Sequence, residues 1–343
     1  MQLSPTLSDV PDANPVVLEA RDIVVDYAPS AQGRKRSQVR QVLAVNQVSL
    51  SLKKGEVLGL VGESGSGKST LAYALLNLLT PPGHLVGGDL RLGSTKNLYD
   101  LPESQWENIR GRHIALVAQA SQSVFNPIMR LGVQFKNILA AHGVKEAEGV
   151  ARARELLAEA RLPADRIFNS YPHELSGGMR QRVTIVASVM TYPEVVVLDE
   201  PTTALDVLSQ AVVLESLRTL RRAAKAPAMM FISPNFAVIS QFADRVGVMY
   251  AGRMVEMGSV AQMYQNPRHP YTKALVKSVP VLRGNQTTLA EIPGTPPDLK
   301  QLPSGCPFHP RCASAMDQCS TAVPAWTGDA WDGVACYLYS STP

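Results

Sequence analysis

Between Val16 and Tyr27, and again between Val42 and Leu52, β-branched residues and leucines alternate with polar ones, the period-two pattern of strands with one wet face. The intervening AQGRKRSQ (31–38) is polar and basic and predicts an exposed loop. The run Val57, Leu58, Leu60, Val61 has strand length and no polar face, as in a strand covered on both sides. Helical patterning restarts at Lys68 and continues through Leu71–Leu79 until Pro81, Pro82 and Gly83 stop it. Gly87–Leu92 predicts a hairpin element and Ile114–Val117 a short buried strand. Arg130–Leu162, with VARARELLAEARL at 150–162, predicts a helical insertion with charged faces. Val195–Leu198 and Ala228–Ile232 are two more apolar strands. Apolar strands alternating with helices imply an α/β class: a parallel core, an antiparallel β subdomain over the first strands, and helices inserted around 120–190. Residues 1–15, polar and proline-bearing, predict a disordered lead; 16–264 form the main domain and 265–343 a C-terminal extension.

Composition narrows the classes. With 343 residues, 45% hydrophobic and 18% charged, the chain can bury a large core. No apolar run reaches the roughly 18 residues that span a bilayer, and the start of the chain does not read as a signal peptide. A cytosolic chain is therefore expected, reaching a membrane through partners. The net charge of +4, with Arg34, Lys35 and Arg36 as its one basic block, is weak for a nucleic-acid binder and reads as a solvated loop. All four cysteines lie beyond residue 305. In a reducing compartment that clustering favours metal ligation over disulfides.

Three motifs carry chemistry. Gly62, Glu63, Ser64, Gly65, Ser66, Gly67, Lys68 and Ser69 fill the pattern GxxxxGK[ST], whose glycines let backbone N–H groups face nucleotide phosphates. Lys68 adds a point charge there, Ser69 offers Mg²⁺ a hydroxyl, and the amides through Thr70 point into the positive end of a helix. A glycine-rich turn before a buried helix is the alternative. Leu175-Ser176-Gly177-Gly178-Met179 opens a second helix, with a serine at its N-cap and glycines that admit a phosphate. The apolar strand 195–198 delivers Asp199 and Glu200 at its C-terminal end, where α/β sheets place their ligands. Asp199 suits Mg²⁺, and Glu200 suits polarising a water. Gln119, at another strand end, is a weak signal alone. Tyr27 reads either as a strand-end core residue or as a platform for a purine.

In combination, Gly62–Ser69, Gln119, Leu175–Met179, Asp199-Glu200 and Ala204-Leu205-Asp206 resemble the nucleotide-binding subunit of an ABC transporter, over residues 16–260. The resemblance implies a P-loop ATPase that binds ATP and Mg²⁺. Tyr27 would stack on adenine, Ser69, Gln119 and Asp199 would serve the metal, and Glu200 would be the general base, with Lys68 and Gln119 beside it. It also implies two domains closing head to tail, so that Ser176–Met179 and Asp206 of one chain complete the other's site. YPHELSGGMRQR (171–182), DRVGVMYAGRMVE (244–256) and NPRHPYTKAL (266–275) look like bacterial oligopeptide and dipeptide importer ATPases. That likeness implies a paralogous ATPase, two membrane-spanning permease subunits and an extracytoplasmic substrate-binding protein as partners, no nucleic acid, and a peripheral place on the cytoplasmic face of the membrane. Related ATPases serve nickel and oligosaccharide importers, and a regulatory or iron–sulfur-sensing module without transport is a rival of another class.

The tail resembles the same family. There, Cys306, Cys312, Cys319 and Cys336 occupy positions that can carry a [4Fe–4S] cluster. Their spacing, C-x5-C-x6-C-x16-C, fits neither zinc-ribbon pairs nor common ferredoxin runs, so zinc and uncoordinated thiols stay open.

The chain departs from the family in two places. Ser233-Pro234-Asn235 stands where the family has Thr-His-Asp, whose histidine contacts the γ-phosphate and holds the attacking water. Proline has neither an imidazole nitrogen nor an N–H to donate. Ala120-Ser121 replaces the family's Asp-Pro after the glutamine, a segment that faces the membrane subunits.

Overall fold

The computed structural model describes residues 14–27, 42–119, 124–203, 205–223, 225–278 and 292–340. Most of the expected lead, the basic loop 31–38, the Ala120-Ser121 departure and Ala204 lie outside the described residues. The strands are β1 (Val16–Asp26), β2 (Leu43–Lys53), β3 (Val57–Val61), β4 (His84–Leu92), β5 (Ile114–Val117), β6 (Val195–Asp199), β7 (Ala228–Ile232), β8 (Arg245–Tyr250), β9 (Arg253–Ser259), β10 (Thr327–Gly328) and β11 (Gly333–Val334).

The first sheet is antiparallel, in the order β2-β1-β4. In β1 the buried apolar positions are Leu18 and Ala20, then Ile23 and Val25, so the inward phase shifts by one residue midway. A bulge restores it. Asp22 turns to a positive φ of 49°, its N–H donates to Ser49 Oγ, and the ladder register shifts between Ala20 and Ile23. The segment expected as a hairpin, Gly87–Leu92, is longer (β4) and pairs across the sheet with β1, because its apolar residues complete the face that β1 presents.

The second sheet runs β10-β11-β9-β8-β3-β7-β6-β5, parallel from β8 to β5 and antiparallel beyond β8. Its inner strands are apolar throughout because each feeds two cores. Leu58, Leu60, Val195, Val197, Met230 and Ile232 pack toward the antiparallel sheet, whereas Val57, Val61, Val196, Leu198, Met229 and Phe231 pack toward the helices on the other face. Each such side chain contributes about 1.5–3 kcal/mol of burial.

The helices are α1 (Lys68–Leu75), α2 (Glu103–Ile109), α3 (Leu131–Ala141), α4 (Glu146–Glu159), α5 (Ala164–Asn169), α6 (Gly177–Val189), α7 (Val207–Arg222), α8 (Phe236–Ser240), α9 (Val260–Gln265), α10 (Pro270–Lys277) and α11 (Asp317–Thr321). Helix α1 stops at Leu75, short of the expected Leu79. Asn77 takes φ 51°, and the N–H groups of Leu78 and Asn77 reach back to the carbonyls of Tyr73 and Ala74. This is a Schellman end with asparagine in the left-handed position, a stop signal nearer than the prolines. Helices α3 to α6 form the insertion between β5 and β6. The chain beyond α10 returns to the main sheet, where β11 adds to the edge of β9 and Trp331 lies between Lys53 and Arg245.

Candidate active site

Strands β3, β6 and β7 run parallel, so Gly62, Asp199-Glu200 and Ser233 all leave the same edge of the sheet. The Gly62–Ser69 loop bends back on itself there. Gly67 has φ +99°, and a Cβ on it would lie 2.1 Å from the Ala44 carbonyl oxygen; on Gly62 it would lie 2.2 Å from that of Met249. Glycine is thus required both by the left-handed backbone and by the close approach. Lys68, 4% exposed, sends its ammonium into the loop and donates to the carbonyls of Gly62 (2.7 Å) and Glu63 (2.9 Å) and to Ser66 Oγ (3.2 Å). Burial pushes its pKa below the ordinary lysine value, against the pull of the Glu200, Asp199 and Glu63 carboxylates. No side chain caps α1, so its first amides, through Ser69 and Thr70, remain for an anion.

Ser69 Oγ donates to Asp199 Oδ1 at 2.9 Å. Asp199 is 1% exposed, and its second oxygen, Oδ2, is buried without a hydrogen-bond partner among the described residues. A hydroxyl beside a bare buried carboxylate oxygen is an oxygen-donor set that fits Mg²⁺. Burial raises the Asp199 pKa above the ordinary carboxylate value, and the Ser69 hydrogen bond opposes that shift.

Glu200 follows with a left-handed φ of 48°, which turns its carboxylate out of the strand line, and its N–H donates to Ile232 O. Gln119 Nε2 donates to Glu200 Oε2 at 2.9 Å, and Thr203 Oγ1 donates to the same oxygen at 3.0 Å. Gln119 therefore stands with the carboxylates. The sequence does not mark Thr203 as a site residue; its one signal is a hydroxyl three positions after the acid. Tyr27 is half-buried, its backbone N–H donates to Val42 O, and its ring rests against Gly83.

Ser176 caps α6 and accepts from the N–H of Met179 at 3.3 Å, leaving the serine and Gly177 at the surface while Gly178 packs on Ser209. Asp206 caps α7, with Oδ1 taking the Ser209 N–H and Oδ2 the Ser209 hydroxyl, and these bonds hold its pKa below the usual carboxylate range. Among the described residues no hydrogen bond or ion pair joins either turn to the Gly62–Ser69 loop of the same chain. Pro234 is exposed beside β7. Of its neighbours, Ser233 Oγ accepts from Asn235 N–H, and Asn235 Oδ1 caps α8 through Ala237 N–H.

In the extension, Cys306, Cys312, Cys319 and Cys336 line one small cavity together with His269 and His309. The Cys306 N–H donates to the Cys319 carbonyl at 2.8 Å. Burial lifts the Cys306 thiol to about 11 and also pushes Cys312 and Cys336 up. The cysteines share this cavity, but among the described residues no three His, Cys, Asp or Glu side chains stand in a metal-holding arrangement. The extension also reaches the phosphate loop. Tyr271 OH accepts the Glu63 N–H at 2.8 Å, and Arg311 grips the Glu63 carboxylate. Neither contact is visible in the sequence, where the partners lie more than 200 residues apart.

A phosphate loop, a strand-end Asp-Glu pair and a serine-capped GG helix on this two-sheet fold define an ATPase of the ABC type. The sequence profile described as ABC transporter matches residues 45–203, and that of the oligopeptide/dipeptide transporter C-terminal region matches 255–319. The chain is 41% identical over 301 residues to the dipeptide transport ATP-binding protein DppD of Caldanaerobacter subterraneus subsp. tengcongensis, covering 87% of this chain and 92% of that one. It is 39% identical over 326 residues to the oligopeptide transport ATP-binding protein OppD of Salmonella typhimurium, covering 94% of each. A bacterial ABC transporter cassette solved as a dimer shares the fold with a TM-score of 0.59 at 24% identity, over 71% of this chain and 98% of the other. The chain belongs to the ATP-binding subunits of the oligopeptide/dipeptide ABC transporters.

Proposed function

We propose that this chain binds Mg-ATP at the Gly62–Ser69 loop and helps to power import of dipeptides or oligopeptides. In this reading it lies on the cytoplasmic face of the membrane with two permease subunits, a paralogous ATPase and an extracytoplasmic substrate-binding protein. The observation that carries the reading is the Ser69–Asp199 pair, with its bare, buried Oδ2 and a charge that the buried Lys68 ammonium feels. Mg²⁺ would be held by Ser69 and Asp199, with Gln119 near, and would neutralise charge on the phosphates. Lys68 and the amides from Gly65 to Thr70 bind the phosphate oxygens, and Tyr27 offers its ring to the adenine. Glu200 takes the proton of the attacking water once Gln119 and Thr203 release its carboxylate. The Ser176–Met179 turn, with Ser176 exposed, and Asp206 complete the partner's site. The chain's own site hydrolyses ATP slowly, because Pro234 supplies no donor to the γ-phosphate.

The four cysteines hold a [4Fe–4S] cluster in this reading, supported by the fact that all four line one cavity. Anaerobically purified protein is expected to show an absorbance band near about 400 nm and to contain iron; zinc in its place, or no metal, overturns that part. The whole reading is tested by reconstituting the complete complex in vesicles. Peptide uptake that depends on ATP supports it, and failure of the complex to retain Mg-ATP rejects it.

A further inference from the structure

Glu63 is the second residue of the phosphate loop, and the extension holds it from two sides. Tyr271 OH accepts its backbone N–H at 2.8 Å. Arg311 forms a bidentate pair with its carboxylate, Nη1 to Oε2 at 2.7 Å and Nη2 to Oε1 at 3.0 Å. A third contact comes from within the loop, where Lys68 Nζ donates to the Glu63 carbonyl at 2.9 Å. The Arg311 side chain is 6% exposed, and the rest of its donors are used as well: Nε on Pro293 O at 2.7 Å, and Nη1 also on Tyr250 OH at 3.2 Å. A planar, fully satisfied guanidinium of this kind fixes its partner in position as well as in charge.

Arg311 is itself fixed. It sits directly before Cys312, at the end of the loop that starts at Cys306, and the middle of that loop is pinned by Phe308. The Phe308 ring is buried, 5.2 Å from Tyr250 and 5.3 Å from Tyr271. A cavity of about 330 Å³ is lined jointly by the phosphate loop, through Glu63, Ser64 and Ser66, and by the extension, through Pro296, Pro297 and Lys300.

We propose that Arg311 is a positioning residue for the nucleotide site: it holds Glu63, and with it the first turn of the phosphate loop, so that the Cys306–Cys312 loop sets nucleotide affinity. The inference rests on the reading of Gly62–Ser69 as the ATP site. Substrate meets neither Arg311 nor Tyr271. They act by restricting the backbone whose amides must converge on phosphate, and the effect falls on binding before chemistry.

The test is titration of the assembled complex with a fluorescent ATP analogue, for the wild type, Arg311→Ala, Arg311→Lys, Glu63→Gln and the Arg311→Ala/Glu63→Gln double variant. Arg311→Ala and Glu63→Gln should each raise Kd by about 5- to 150-fold, the usual range for linked sites. KM should rise with Kd, while turnover at saturating ATP changes less. The double variant should bind no more weakly than either single one, and Arg311→Lys, with a charge but no fork, should fall between. Wild-type affinity in Arg311→Ala, or losses that add in the double variant, overturns the proposal. Should Arg311→Ala fail to fold, Glu63→Gln against wild type decides by itself. A wild-type complex that binds no nucleotide removes the ATP-site reading as well, whereas normal wild-type binding with unaffected variants removes this inference alone.

Discussion

Ser69 and Asp199, 130 residues apart in the chain, meet through a 2.9 Å hydrogen bond that satisfies one carboxylate oxygen and leaves the other buried and bare. Replacing Asp199 with Asn keeps the size and the contact to Ser69 but removes the charge a cation requires. Mg²⁺ affinity of the nucleotide-loaded complex should fall by at least about 10- to 100-fold, the loss seen even for indirect supports of a metal ligand. Magnesium titration measures it, and an unchanged midpoint would mean that the metal is held elsewhere.

Pro234 is exposed beside the strand end that faces the phosphate loop, and both neighbouring polar groups accept hydrogen bonds locally. Pro234→His should raise ATP turnover of the complex by about 10²- to 10³-fold at this site, the scale of one transition-state donor. Single-turnover assays with the partner ATPase inactivated isolate it. No gain would show that the slow-site reading is mistaken.

Glu200 is held by Gln119 and Thr203 rather than buried, so its replacement should spare the fold. Glu200→Gln in the Pro234→His background should lose about 10²- to 10⁴-fold in turnover, the contribution of a general base, with little change in nucleotide Kd. Retained turnover would assign the proton transfer to another group.

His269 caps α10 by accepting the Tyr271 N–H on Nδ1, which requires a neutral ring, and burial lowers its pKa to about 3. The unfolded chain takes up that proton near pH ~6.5, so the stabilisation is complete above ~6.5 and is lost as pH falls from there toward 3. The slope in that window is about 1.4 kcal/mol per pH unit. His269→Asn retains a capping oxygen that does not titrate. Between pH 7 and 5, thermal melts should therefore show wild type losing more Tm than the variant; parallel profiles would contradict the assignment.

At Gly67, a Cβ would collide with the Ala44 carbonyl and force an unfavourable φ. Gly67→Ala should destabilise the protein by about 1–3 kcal/mol and weaken nucleotide binding more than a surface Gly→Ala change does. Chemical denaturation alongside nucleotide titration would check both effects.

Much of the site could be read in advance because its parts are local. The phosphate loop, the LSGGM turn and the Asp-Glu strand end each occupy a few consecutive residues whose types follow from their chemistry. The apolar strands were legible for a related reason, since β3, β6 and β7 each face two cores. What the sequence does not show depends on distance or on a single backbone state. The stop at Asn77 needs one left-handed residue that no periodicity reveals, and the bulge at Asp22 shows only as a change of phase. The grip of Arg311 on Glu63 joins two loops by charge across 248 positions, and loop charges carry no pattern to say where they go.

The main sheet ends in two short strands of the extension, β11 paired along β9 at Gly333–Val334 and β10 outside it. Severing the chain between α10 and β10 would therefore strip β9 of the neighbour that satisfies its backbone N–H and C=O groups, leaving an open strand edge able to pair with another polypeptide.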